Sequence, residues 1–69
     1  MKTEKKENPI QKYLDEKGMR PSHLAKLANI APSMMHAYYY GKSNPRRSNA
    51  LRICRATNYE IKMADLGFN

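Results

Sequence analysis

Between Pro21 and Tyr40 the chain reads PSHLAKLANIAPSMMHAYYY, and the punctuation of that stretch favours one arrangement, two short helices joined by a tight turn. Pro21 suits a helix start because its missing N–H would be unpaired there anyway. Leu24, Ala25, Leu27 and Ala28 then supply one apolar side at helical spacing. Asn29 follows, one of the few non-glycine residues that tolerate the left-handed backbone with which a helix stops and reverses. The first helix therefore ends near Ala28, Ile30 is placed to plug the corner, and Pro32 restarts a helix whose body is SMMHAYYY.

In that second helix Met34, Met35, Tyr38 and Tyr39 fall on one side at roughly 100° per residue, and Ser33, His36, Ala37 and Tyr40 fall on the other. The first side is expected to be core. The second is small or polar and carries no acid, which suits insertion into the major groove of DNA. Two helices crossing steeply through a short turn make a helix-turn-helix, and Ala25 is small where the two must approach closely. On this reading Ser33, Met34, His36 and Ala37 meet base edges, since Ser can donate or accept and Ala or Met can meet a thymine methyl.

Charge agrees with that placement. The 69-residue chain carries a net +7, with a pI of about 9.8. From Lys17 to Tyr59 it holds Lys17, Arg20, Lys26, Lys42, Arg46, Arg47, Arg52 and Arg55 and no Asp or Glu. A polyanion is the partner such a stretch fits. A membrane span is excluded because no apolar run approaches the roughly 20 residues required. The lone Cys54 cannot form an internal disulfide, points to a reducing cytoplasm, and fits the apolar side of a helix rather than a nucleophile's position. His23 and His36 lack the cysteine or carboxylate company of a metal site, and no catalytic constellation, cofactor motif or phosphate-cradling glycine loop is present. Asp15 and Glu16 are adjacent, so on a helix they diverge and read as surface. One domain exhausts this length.

The flanks complete the organisation. Residues 1–7, MKTEKKE, read as a flexible tail whose Lys2, Lys5 and Lys6 either stay inert or wrap DNA, and residues 8–69 as the single domain. Asn8 caps and Pro9 begins a supporting helix with an Ile10, Tyr13, Leu14 stripe that stops at Gly18; Met19 packs beneath the next helix. Arg20 stands where a cap would be better, so Ser22 is the candidate cap, and Ser22 and His23 at that helix N-terminus are candidates to touch a phosphate. Tyr40 can offer its hydroxyl to another. Gly41 ends the second helix, KSNPRRSN forms a basic loop, and Ser48 or Asn49 caps a fourth helix. Its Leu51, Cys54 and Ile53 face inward, and Arg52 and Arg55 stay wet until Asn58 stops it. Ile61, Met63, Ala64, Leu66 and Phe68 are expected to add a final helical turn or two, with a short strand as the rival.

The run HLAKLANIAPSMMHAYYYGK, followed by NPRR and LRICRATNYEI, resembles the lambda-repressor and Cro type of helix-turn-helix protein of bacteria and their phages, from roughly Pro9 to Leu66. In that family an alanine matches Ala25, a turn glycine matches Asn29, apolar core residues match Leu24, Ile30, Met35 and Tyr38, and a Gly-plus-basic loop matches Gly41 and Lys42. Pro32 departs from it, standing where the family often places a polar base-reading residue. The resemblance implies an all-α bundle of about five short helices, with Lys42, Ser43, Arg46 and Arg47 beside the groove-facing helix on phosphates. It further implies a phage-type repressor. A module this small contacts few base pairs, so a palindromic double-stranded operator filled by a weak homodimer is expected, with Leu66 and Phe68 as candidates for the interface or equally for the core. The length leaves no room for a small-molecule effector pocket. The rival from another class is an antitoxin-like protein-interaction module on the same fold; RNA binding is a third.

Overall fold

The structure, a computed structural model, describes residues 8–68, so the lysine-bearing tail lies outside the described residues. Four α-helices follow in order, α1 (Pro9–Lys17), α2 (Pro21–Ala28), α3 (Pro32–Tyr39) and α4 (Arg47–Ala56), and a 3₁₀ turn (Met63–Leu66) closes the chain. The fold is all-α, and no strand occurs among the described residues.

Prolines open α1, α2 and α3, where no intrahelical N–H is lost. A shared backbone device ends each helix. At the end of α2 the Asn29 N–H donates to the Lys26 carbonyl at 3.2 Å and the Ile30 N–H to the Ala25 carbonyl at 2.9 Å, with Asn29 left-handed at φ 59°. These are the two bonds of a Schellman stop, and they recur at Gly18/Met19, Gly41/Lys42, Asn58/Tyr59 and Gly67/Phe68. After α4 the left-handed backbone extends to Tyr59 at φ 64°, a conformation that costs a β-carbon-bearing residue more than glycine.

α2 lies at the centre, packed on α3 and α4, while α1 backs α3 and α4 meets the 3₁₀ turn. The core joins Ile10 and Leu14 of α1, Leu24, Ala25 and Ala28 of α2, Met35 and Tyr38 of α3, and Ile53 of α4, with Ile30 at the corner and Ile61 beyond α4. Leu24, Ala25 and Met35 are wholly buried, and burying a Leu or Met side chain contributes about 1.5–3 kcal/mol. Thr57 is buried with its hydroxyl satisfied: Oγ1 donates to the Cys54 carbonyl at 3.1 Å and accepts from the Ile61 N–H at 3.2 Å.

Several sequence expectations are corrected. Leu27 is 54% exposed and Leu51 38%, because each falls about 60° beyond the buried arc of its helix when residues advance 100°. Ala50 occupies the inward place expected of Leu51. Met34 is 41% exposed and leaves the core side, and Tyr39 is only half-buried. Neither Ser22 nor Ser48 nor Asn49 caps a helix: the cap positions of α2 and α4 fall two or three residues earlier, at Arg20 and Arg46, with no side-chain cap. Tyr40 follows α3 rather than belonging to it. The last segment makes one 3₁₀ turn, which Ile61 and Phe68 flank without joining.

Candidate nucleic-acid interface

Four side-chain hydrogen bonds hold α3 in place. The Asn8 amide Nδ2 donates to the carbonyls of Tyr38 and Tyr39 at 2.9 and 3.1 Å. The Tyr39 hydroxyl donates to Asp15 Oδ1 at 2.7 Å, and Asn49 Nδ2 donates to the Tyr38 hydroxyl at 2.9 Å. Thus the N-cap and the last turn of α1 and the first turn of α4 each grip the last turn of α3. The Asp15 carboxylate holds the Tyr39 hydroxyl's pKa above its ordinary value, since losing the proton would destroy the bond and set two negative charges together.

With its inner side secured, α3 leaves Ser33, Met34 and His36 exposed and Ala37 half-buried. His36 Nδ1 sits 3.1 Å from the Pro32 carbonyl one turn earlier, which orients the ring along the helix surface. Tyr40, 64% exposed, stacks parallel to His36 at 6.4 Å between centroids and meets Tyr39 edge-on at 4.9 Å. An aromatic row therefore continues the polar face of α3 past its C-terminus. Lys42 comes next, exposed, its N–H bound to the Ala37 carbonyl at 2.8 Å by the Schellman stop. After α1 and α2 that same position holds Met19, half-buried, and Ile30, buried. Following α3 the stop instead presents a cation, held within two residues of the glycine that reverses the chain.

The loop to α4 is anchored by Pro45, which is buried, while Arg46 and Arg47 on either side of the α4 start are exposed. Ser43 is half-buried and lines a hollow shared with Asn8, Tyr38, Asp65 and Phe68, on the α1 side of the loop. Across the α2–α3 turn, Ser22 and His23 are exposed and line one groove with Arg20, Lys26 and Asn29 that reaches Pro32 at the start of α3. No acid lines this groove. Arg20 and Lys26 join Ser22 and His23 here, and their spacing along one exposed side of α2 and its N-cap is the sequence signal that groups them. Arg52, expected to stay wet, reaches from α4 to donate through Nη1 to the Asn29 carbonyl at 2.9 Å, placing a cation on the C-terminal end of α2.

Other candidates separate from this surface. Cys54 is buried, and burial pushes its thiol pKa up, the opposite of what a nucleophile needs. Among the described residues no group of His, Cys, Asp and Glu is assembled to hold a metal, and no helix is long and apolar enough to cross a membrane. Leu66 is half-buried against the core and Phe68 is half-buried beside it.

A tight helix pair with its second helix clamped from behind, free of acids in front and flanked by cations, defines a DNA-binding helix-turn-helix. The chain belongs to the family of Cro/C1-type helix-turn-helix DNA-binding domains, whose model matches residues 9–66. It is a non-enzymatic family, and membership implies DNA binding. No curated protein and no solved structure gives a significant match to the chain.

Proposed function

We propose that the protein is a sequence-specific regulator of transcription that reads double-stranded DNA through α3, acting as a Cro-like phage repressor in the cytoplasm of a bacterial host. The observation that carries this reading is the acid-free outer face of α3, clamped from behind and continued by Tyr40 and Lys42. Ser33, Met34, His36 and Ala37 are assigned to base edges. Ser22, His23, Tyr40, Lys42, Ser43, Arg46 and Arg47 are assigned to phosphates, where they set register and supply the salt-dependent part of affinity. With Pro32 opening α3, the base-reading set starts one residue later than the family commonly has it.

A module of this size spans few base pairs, so the operator is assigned two half-sites about one helical turn apart, filled by a homodimer completed on DNA. Occupancy excludes polymerase, and the protein thereby represses. Selection of bound duplexes from a random pool tests this: the reading expects a palindromic consensus, and sedimentation with the selected duplex expects two chains per site. A pool that yields no consensus contradicts sequence-specific reading, and a single chain on a non-palindromic site contradicts the dimer.

A further inference from the structure

Asn8 is the residue whose side chain touches two helix ends at once. Its Oδ1 accepts from the Ile10 and Gln11 N–H groups at 3.1 and 3.2 Å, capping α1, while its Nδ2 donates to the last carbonyls of α3. The positive end of one helix dipole and the negative end of the other thus meet across a single amide. All four bonds go to protein backbone, so the amide has its two donor hydrogens and its oxygen already committed. The cap needs an acceptor and the two α3 carbonyls need two donor hydrogens, a set that the asparagine amide supplies in full. An aspartate in its place retains the cap with no donor for α3, and a serine retains the cap with a single hydrogen on a shorter side chain.

We propose that Asn8 is a positioning residue for DNA recognition: by holding the C-terminal carbonyls of α3 against α1, it fixes the seating of the base-facing side chains without touching DNA itself. This rests on the reading of α3 as the base-contacting helix. Phosphate contacts at Lys42, Arg46 and Arg47 lie on flexible side chains and tolerate a small tilt of α3, whereas base-edge bonds demand fixed geometry. Loss of the tether is therefore expected to weaken discrimination between sequences rather than binding in general.

The test compares the wild type with Asn8→Asp and Asn8→Ser, each first shown folded by circular dichroism at the binding temperature. Affinities for a duplex selected by the wild type and for a random duplex are measured across a salt series. In Asn8→Asp the new carboxylate oxygen faces two carbonyls, and its affinity for the selected duplex is expected to fall about tenfold or more. Asn8→Ser falls less, and for both variants random-duplex affinity stays within about twofold at an unchanged salt slope. Folded variants that discriminate like the wild type overturn the proposal, as do equal losses on both duplexes, which would mean general damage. Failure of both variants to fold also overturns it, making Asn8 a folding residue. A wild type without sequence preference overturns the reading of α3 as well, before any variant is made, so the two failures are told apart.

Discussion

Two grooves on this small fold divide its charge between them. One, lined by Arg20, Ser22, His23, Lys26 and Asn29, runs along α2 to the start of α3 and holds no acid. The other lies between α1 and the C-terminal segment and gathers Glu16, Glu60 and Asp65 with Lys12 and Tyr13. The acids of this second side are largely spent on the fold. Glu60 pairs with Lys17 at 3.0 Å, Asp65 accepts from the Lys62 N–H at 3.0 Å, and Asp15, nearby on α1, holds the Tyr39 hydroxyl. The cations of the first groove face no such answer within it. Acids thus serve inside the fold, tying α1 to the C-terminal segment, capping the 3₁₀ turn and, through Asp15, bracing α3 from behind, and the unanswered charge is left for a partner in front.

The largest effect expected from breaking this division lies beneath both grooves. Leu24→Ala, in the wholly buried centre of α2, should cost about 2–5 kcal/mol in chemical denaturation, whereas Leu27→Ala, three residues on and 54% exposed, should stay within about 0.5 kcal/mol. Equal costs would mean that the buried arc of α2 has been misplaced. Next come the loop cations. Arg46→Ala and Arg47→Ala together should weaken binding alike on all duplexes and lower the salt slope by about two, one for each phosphate released. An altered base preference with an intact salt slope would remove both residues from the phosphate set.

Base-facing residues should behave in the reverse way. His36→Ala is expected to lose about 1–3 kcal/mol on a selected duplex at the positions it faces and little on random DNA, measured by titration at fixed salt. The smallest effect concerns pH. A raised hydroxyl pKa at Tyr39 means that its bond to Asp15 stabilises the fold below the ordinary tyrosine pKa and is lost as pH rises through the higher folded value. Wild-type stability should therefore decline slightly more steeply than that of Tyr39→Phe above pH ~10. Identical alkaline profiles would show that the bond does not brace α3 in solution.

Much of the fold was legible because helix ends are local chemistry. Pro9, Pro21 and Pro32 open helices, and Gly18, Asn29, Gly41 and Asn58 supply the left-handed stops, as the residue types alone suggest. Burial was less legible. Hydrophobicity marks Leu27 and Leu51 as core candidates, but only the direction of each helix relative to its neighbours decides which side of a leucine meets protein. Ser48 and Asn49 are good caps by type, yet α4 begins at Arg47 after an extended Arg46, so both already lie in its first turn. The acid-free face of α3 was visible in sequence; its bracing was not. Asn8 with Tyr38, Asp15 with Tyr39 and Tyr38 with Asn49 are distant in sequence, and nothing in their spacing announces the pairing.

The central claim, that α3 enters the major groove, is tested most directly by methylation protection on a selected duplex, which probes guanine N7 in the major groove and adenine N3 in the minor groove of the same site. The account predicts that the wild type shields guanine N7 and that His36→Ala or Ser33→Ala reopens particular positions while the rest stay covered. Shielding confined to adenine N3, or unchanged in both variants, would contradict it.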